Sequence, residues 1–276
     1  MTRETSSAFD SAGDPPPCAS GSLSRATVAL LAALALTGFA PTSTAAEAPQ
    51  VEHVILVHGL WRSSRSMAPM QEALERAGFV VLNIDYPSRD ASIEELSEET
   101  IGPAIEQCVK KGATKVHFVT HSLGGILVRS YFSRRPADIV GRVVMLGPPN
   151  KGSEAVDAFG EFPLFDSIMG PAARELGTHA ESTPNILGKP AFDVGIIAGD
   201  RTLNLVESAI IPGRDDSKVS VERTKLEGMT DHVIVGASHP FLMSHPRAIR
   251  QTIQFLAIGS FDHVAPKPLP RNARMR

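Results

Sequence analysis

The chain is poor in the residues that mark several large classes of protein. It has 276 residues but only two cysteines, Cys18 and Cys108, which lie far apart and form neither a disulfide framework nor a thiolate metal site. Its 27 basic residues are scattered among 30 acidic ones, and nucleic acids bind to concentrated positive fields. A sulfur-bound metal is therefore excluded, and nucleic acid is not an expected partner.

The N-terminal region also lacks an apolar run long enough to cross a bilayer. Residues 26–39 are apolar over about 14 positions, whereas a spanning helix needs about 20. A stretch ending in Arg25 precedes this run and small residues up to Ala46 follow it, which is the order found in a signal peptide. We predict that residues 1–46 are a signal peptide with its n-region, cleaved near Ala46 for secretion or export to the periplasm. An uncleaved membrane anchor is the alternative.

From residue 47 to residue 260, short apolar runs alternate with amphipathic stretches. Buried strands are predicted for the β-branched runs at residues 53–57, 79–84, 116–119, 140–146, 194–198 and 232–235. Helical patterns are found at residues 66–77, 92–111, 123–134 and 245–258, the second of them starting with a capping box. The alternation predicts an α/β fold with a mostly parallel central sheet flanked by helices on both faces.

Two stretches depart from this alternation. Residues 147–190 carry prolines between short apolar pieces, and we predict a small lid insertion there, with an irregular surface connection as the alternative. Residues 261–276 combine prolines with basic residues and are predicted to be a disordered basic tail. The catalytic domain is then predicted for residues 47–260.

The sequence THSLGG at residues 120–125 carries the chemistry. It follows a predicted strand and begins a predicted helix, so Ser122 falls on the turn between them, as in a nucleophile elbow. The elbow needs small residues two positions before and after the serine. Gly124 meets the second requirement, Thr120 replaces the usual glycine at the first, and Gly125 adds room. We predict that Ser122 is a nucleophile.

The sequence HGLW at residues 58–61 follows the first predicted strand. In a fold of this kind, that turn donates a backbone N–H to a tetrahedral oxyanion. Leu60 is the predicted donor here, and the second donor is Leu123, which follows the nucleophile at a helix N-terminus. A tight turn without a chemical role is the alternative reading of this motif.

With these motifs the sequence resembles the α/β-hydrolase superfamily. The similarity extends over about residues 50–258 and is to the bacterial secreted lipase and esterase branch, whose signature is V-H-G after a strand and later H-S-x-G-G. The resemblance implies an α/β-hydrolase fold and a triad in the chain order Ser, Asp or Glu, His.

The resemblance places the base in the loop after the last strand. His239 lies in that loop, which makes it the predicted base. His245 is the competing candidate, but Pro246 follows it at the start of a predicted helix, so it reads better as a capping or structural residue.

The acid is expected in a stretch similar to D-G-x-V. Asp216 occupies the aspartate position of this stretch, and Ser217 stands where glycine is usual. Asp215 and Asp200, which ends a predicted strand, remain as alternatives. One carboxylate is sufficient to orient the histidine and stabilise its imidazolium form.

Together these residues predict a serine hydrolase that cleaves carboxylic esters of small molecules or lipids, a lipase or esterase with an acyl-enzyme intermediate. Transient contact with a lipid interface is part of this expectation, and no cofactor or metal is predicted. An acyltransferase or thioesterase with the same triad, or a non-catalytic binding protein on the hydrolase fold, are the alternatives.

Overall fold

A computed structural model describes residues 52–203 and 205–264. Within these residues six strands form one sheet: β1 (His53–Val57), β2 (Val80–Ile84), β3 (Val116–His121), β4 (Val140–Leu146), β5 (Asp193–Gly199) and β6 (Asp231–Val235). Their order is β2-β1-β3-β4-β5-β6, and every neighbouring pair is parallel. The predicted parallel sheet is confirmed. The predicted signal peptide, residues 1–46, lies outside the described residues.

Helices connect and flank the strands in the described part of the chain. They are α1 (Ala68–Arg76), α2 (Ile93–Lys110), α3 (Leu123–Phe132), α4 (Glu154–Phe159), α5 (Phe165–Met169), α6 (Pro171–Arg174), α7 (Thr183–Ile186), α8 (Leu205–Ile210), α9 (Val221–Thr224) and α10 (Pro246–Ile258). The segments Ser64–Met67 and His239–Ser244 are 3₁₀-helices. None of the helices in residues 52–203 and 205–264 is both long and apolar enough to span a bilayer.

The sheet is buried on both faces. Successive β1 residues alternate between two cores: Ile55 packs in a core with α2 and α3, and Leu56 packs in a core with α1 and α10. Since neighbouring side chains of a strand point to opposite faces, a strand covered on both sides reads as a continuous apolar run. This is why the sequence pattern identified the strands directly.

Helix ends follow the predicted signals with small shifts. Ser92 caps α2, where its hydroxyl and the Glu95 carboxylate form the predicted capping box. The first helix begins at Ala68 instead of residue 66, because the chain first makes the 3₁₀ turn Ser64–Met67. Pro69 then lies in the first turn of α1, where a missing N–H costs no hydrogen bond.

The proline-rich stretch at residues 147–190 folds into the four short helices α4 to α7. Pro171 and Pro184 lie in the first turns of α6 and α7, the position in which proline is tolerated. The chain past the predicted domain end at residue 260 still packs on the domain, since the Phe261 ring lies 4.9 Å from that of Phe255. Residues 265–276 of the predicted tail lie outside the described residues.

Candidate active site

Ser122 lies on a sharp turn between β3 and α3. Its backbone has φ 52° and ψ −121°. Residues other than glycine rarely adopt this conformation, which costs about 1–3 kcal/mol. The Ser122 N–H donates to the Leu146 carbonyl of β4 at 2.9 Å, and the Gly125 N–H donates to the Ser122 carbonyl at 3.0 Å. These bonds fix a strained turn that presents the serine beyond the sheet.

The first predicted oxyanion turn lies beside this serine. The β1–β3 register pairs Val57 with Thr120, so Gly59 and Ser122 follow at the same level along the two strands. A Cβ added to Gly59 would lie only 3.0 Å from the Ser122 Cβ. Glycine at this position therefore allows the two turns to come into contact.

Gly124 allows α3 to approach β1. A Cβ at this position would lie 2.6 Å from the Val57 carbonyl oxygen and 2.8 Å from that of His58, closer than atoms can approach. Thr120, the departure from the usual glycine, packs against Gly125, where an added Cβ would lie 3.1 Å from its hydroxyl. The second glycine of the motif makes the room that the threonine needs.

His239 and Asp216 form a buried hydrogen-bonded pair. The His239 Nδ1 lies 2.8 Å from Asp216 Oδ2, and the His239 N–H donates to the Asp216 carbonyl at 2.9 Å. The second carboxylate oxygen accepts the N–H groups of Lys218 at 3.1 Å and Val219 at 3.0 Å. Because the carboxylate is an acceptor, Nδ1 carries a proton and Nε2 of the neutral ring is left as a base.

The competing acids are engaged with other groups. Asp215 accepts the Ser208 hydroxyl at 2.6 Å and the Ser217 N–H at 2.8 Å. Asp200 forms an ion pair with the Arg214 guanidinium. Of the three candidate carboxylates, Asp216 is the one that contacts His239.

Ser217 occupies the position where the resemblance led us to expect glycine, and its backbone does need glycine-like freedom. Its φ is 83°, in the left-handed region. The hydroxyl lies 2.8 Å from the Thr202 hydroxyl and accepts the Leu203 N–H at 2.7 Å. The side chain therefore ties the turn after Asp216 to the loop after β5, a link that glycine could not make.

His121 is a residue whose place the sequence did not reveal. It is buried, its Nε2 donates to the His239 carbonyl at 3.0 Å, and the two rings lie 4.7 Å apart. Burial, followed by the nearby His239, holds the pKa of His121 well below its usual range, so the ring is a neutral donor. Its position directly before the nucleophile is the signal that could have suggested a link to the base.

The other candidate histidine, His245, is the N-cap residue of α10. Burial, followed by the charge of Arg250, lowers its pKa from the usual value. Its N–H donates to the Leu242 carbonyl at 3.3 Å, and its carbonyl accepts the Ile249 N–H. These bonds fit the capping or structural reading.

Of the predicted oxyanion donors, Leu123 directly follows Ser122 in the chain, and Leu60 lines the same cavity as Ser122. Leu123 is the first residue of α3, and an amide in the first helical turn has no acceptor within its helix. The turn that carries Leu60 is fixed by His58, whose ring stacks on Tyr86 at 4.2 Å and whose carbonyl accepts the Tyr86 hydroxyl at 2.8 Å.

A cavity of about 540 Å³ opens beside Ser122 and His239. Leu60 and His121 line it on the sheet side. The other lining side chains are mainly apolar and come from residues 147–190, among them Val156, Phe159, Phe165, Ile168, Met169 and Leu176. A carbonyl group held next to Ser122 would therefore have an apolar chain-binding space beside it.

The model of the alpha/beta hydrolase family matches residues 54–252. The chain belongs to the alpha/beta hydrolase family. Among solved structures, the mature form of a Bacillus licheniformis lipase has a TM-score of 0.63 at 18% identity, with 75% of this chain and 93% of that chain covered. Phospholipase PlaB of Legionella pneumophila has a TM-score of 0.59 at 16% identity, with 76% and 60% covered. These likenesses are in the fold.

In this alpha/beta hydrolase the sequence-predicted site residues lie around one cavity edge. Ser122, His239 and Leu60 line the cavity, and Asp216 lies behind His239. No group of three or more His, Cys, Asp or Glu side chains in residues 52–203 and 205–264 is arranged to hold a metal ion. The chemistry available at the site is that of a hydroxyl, an imidazole with its carboxylate, and backbone amides.

Proposed function

We propose that this hydrolase cleaves carboxylic esters, with Ser122 as nucleophile, His239 as general base and Asp216 as the orienting acid. The observation that carries the proposal is the 2.8 Å bond between Asp216 and His239 at a cavity that the strained Ser122 also lines. A backbone strain of this kind persists where it serves a function.

In the first half of the reaction, His239 Nε2 accepts the Ser122 hydroxyl proton as the oxygen attacks the ester carbonyl. The imidazolium is stabilised by Asp216, which remains ionised. The tetrahedral intermediate then collapses, the alcohol oxygen takes the proton from His239, and the acyl group stays on Ser122.

In the second half, His239 removes a proton from water, which attacks the acyl-enzyme. Collapse of this intermediate releases the carboxylic acid and returns the proton to Ser122. Both tetrahedral intermediates place an oxyanion near the N–H groups of Leu60 and Leu123. Each such donor contributes about 3 kcal/mol to the transition state in comparable enzymes.

The cavity supports an apolar acyl group as the preferred part of the substrate. Its walls are largely aliphatic and aromatic, and the similar Bacillus licheniformis structure is that of a lipase. We propose that residues 147–190 act as a lid over the cavity. Phe162 and Leu164 in this segment are exposed, which supports transient contact with a lipid interface.

The function is tested by measuring initial rates on p-nitrophenyl acetate, butyrate, octanoate and palmitate. We expect hydrolysis that Ser122→Ala reduces by about 10⁶-fold, since the triad acts as a unit. Labelling by a fluorophosphonate probe should disappear in the same variant, and circular dichroism should show an unchanged fold. Full activity of Ser122→Ala, or no labelling of the wild type, would contradict the proposed nucleophile.

We also propose that the protein is exported and cleaved near Ala46. The support is the sequence order before this residue: a basic end at Arg25, the apolar run at residues 26–39, then small residues. Intact mass and N-terminal sequencing of the protein recovered from the periplasm or medium test this. Recovery of the full-length chain in the membrane fraction would favour the uncleaved anchor instead.

A further inference from the structure

The cavity beside Ser122 has cationic but not anionic side chains at its surface. Among the described residues that line it, Arg62 and Lys218 carry positive charge, and none is aspartate or glutamate. The rest of the lining is mainly apolar. A cavity with an apolar interior and a positive edge is complementary to an amphiphilic molecule that carries an anionic group.

Arg62 is placed at the cavity by a strained turn. Its N–H donates to the Gly59 carbonyl at 3.2 Å, which closes a four-residue turn with Trp61 in the third position. Trp61 has φ 59°, the left-handed conformation that glycine usually supplies in turns. A bulky residue remains in that conformation only where its surroundings over-determine it.

The surroundings of Trp61 supply that constraint. The Trp61 N–H donates to the buried Ser88 hydroxyl at 3.1 Å, and the Arg89 guanidinium stacks 3.9 Å from the indole ring. Arg89 also donates to the Ile168 carbonyl of α5 at 3.3 Å. Arg89 therefore connects two residues that line the cavity, Trp61 and Ile168, and its guanidinium is engaged by the indole and a carbonyl.

The positive charge of Arg62, unlike that of Arg89, is not engaged by a neighbouring group of the described residues. No carboxylate of the described residues lies within 4 Å of its guanidinium, and yet it lies at the cavity two residues after Leu60. A guanidinium presents five N–H donors in a planar fork that matches two oxygens of a carboxylate or a phosphate. The arrangement provides a binding group of the right chemistry at the mouth of the proposed reaction site.

We propose that Arg62 is a specificity-determining residue that binds an anionic group, carboxylate or phosphate, on the ester substrate. The inference rests on the proposed ester hydrolysis and names the substrate class, an amphiphilic ester with an apolar chain and one anionic group. The apolar chain lies among the side chains of α4, α5 and Leu176, and the anionic group lies on the side of the turn that carries Leu60.

Two matched pairs of esters test this class and locate the anionic group. The first pair is p-nitrophenyl hexanoate and p-nitrophenyl hydrogen adipate, which differ by a carboxylate at the end of the acyl chain. The second pair is a monoacylglycerol and the lysophosphatidic acid with the same acyl chain, which differ by a phosphate on the alcohol. The quantity measured is the ratio of kcat/KM for the anionic ester to kcat/KM for the neutral ester.

We expect this ratio to fall about tenfold in Arg62→Gln for at least one pair, the size expected for a hydrogen bond to a charged group. Arg62→Lys should retain part of the ratio, because charge remains but the planar fork is lost. Arg65→Gln is the matched control, since Arg65 is an exposed arginine on the same segment that does not line the cavity, and its ratio should match the wild type.

A measurement on the wild type alone gives a second test. The ratio should fall when ionic strength rises from about 0.01 M to about 1 M, since the Debye length then shrinks from roughly 30 Å to 3 Å. Equal ratios in Arg62→Gln, Arg65→Gln and wild type for both pairs would overturn this inference while leaving Ser122-dependent hydrolysis of the neutral esters intact. Absence of Ser122-dependent hydrolysis of every ester would overturn the proposed function and the inference together.

Discussion

The two walls of the cavity are built in different ways. The sheet wall consists of the residues that follow β1, β3 and β6, namely Leu60, Ser122 and His239, and parallel hydrogen bonding fixes their positions. The helical wall consists of residues 147–190, whose four helices are only four to six residues long. Helices this short are not stable by themselves, so contacts with the rest of the domain must fix them.

One group that contacts the helical wall from the rest of the domain is a buried arginine. Arg129 of α3 donates to the Asn150 side chain at 3.1 Å and to the carbonyls of Pro184 and Gly188 at 3.0 Å each. These acceptors lie near the two ends of the helical wall. Burial lowers the pKa of Arg129 to about 10, which still leaves the side chain charged at neutral pH.

The two walls differ in burial and in the groups that they carry. The sheet wall carries the proposed reacting groups just after strands buried on both faces, whereas the helical wall carries apolar side chains that are 61% exposed at Phe162 and 66% exposed at Ile186. Segments with few buried contacts open locally at lower free energy than the core. We therefore expect the helical wall to be the part of the cavity that opens to admit substrate.

The largest expected effect is on the sheet wall, at the acid. Asp216→Asn keeps the shape of the side chain but removes the charge that stabilises the imidazolium, and we expect kcat on p-nitrophenyl butyrate to fall by about 10⁴-fold. Asp215→Asn is the matched control, because this neighbouring carboxylate contacts Ser208 and Ser217. A larger loss in Asp215→Asn than in Asp216→Asn would show that Asp215, and not Asp216, is the acid.

The next largest effect is expected in the helical wall, when Arg129 is replaced. Arg129→Met leaves the carbonyls of Pro184 and Gly188 without their donor, and we expect a loss of about 2–4 kcal/mol in the free energy of unfolding by urea. Limited proteolysis should cut within residues 150–188 faster than in the wild type. Arg134→Met, which removes surface ion pairs with Glu94 and Glu98, should cost less than about 1 kcal/mol. If Arg129→Met were cleaved equally fast along the whole chain, Arg129 would not be a selective support of the helical wall.

A smaller effect tests the close packing under the nucleophile. Gly124→Ala adds a methyl group 2.6 Å from the Val57 carbonyl oxygen, and we expect a loss of about 1–3 kcal/mol by urea unfolding together with lower kcat. Gly102→Ala in α2 is the control, because its added methyl would meet only the outer end of the Tyr131 side chain, with the hydroxyl nearest at 3.1 Å, and no backbone atom. The control should be neutral or stabilising. Equal losses in both would argue against tight packing at the elbow.

The smallest effect concerns the turn after the acid. At φ 83°, Ser217→Gly relieves backbone strain while Ser217→Ala retains it, and both lose the hydrogen bonds to Thr202 and Leu203. We expect the alanine variant to be less stable than the glycine variant by about 1 kcal/mol. Differential scanning calorimetry of the pair measures this difference, and a more stable alanine variant would show that strain at this residue is unimportant.

The strands were predictable because each is short, apolar and bounded by turn residues. The capping box at Ser92 fixed the start of α2 for a similar reason, since both partners are local in sequence. Residues 147–190 were less predictable, because helices of four to six residues are stabilised by distant groups such as Arg129, which no local pattern reveals.

The residues of the candidate site divide in the same way. Ser122 was predictable from its motif, because strand, turn and helix are consecutive. The choice among Asp200, Asp215 and Asp216 depended on a resemblance, and only the fold places one of them 2.8 Å from His239. The bond from His121 to the His239 carbonyl joins residues 118 positions apart, so it could not be read from spacing.

By itself, then, the sequence determined the six strands, the four longest helices, the elbow at Ser122 and the glycines next to it. These features depend on side-chain volume, periodicity and backbone freedom within a few neighbouring residues. The tertiary structure decided which carboxylate contacts His239, which arginine binds the two ends of the helical wall and which arginine lines the cavity without a carboxylate partner among the described residues. Those outcomes depend on the distances and burial of groups that meet only when the parallel sheet brings the ends of its strands to one edge.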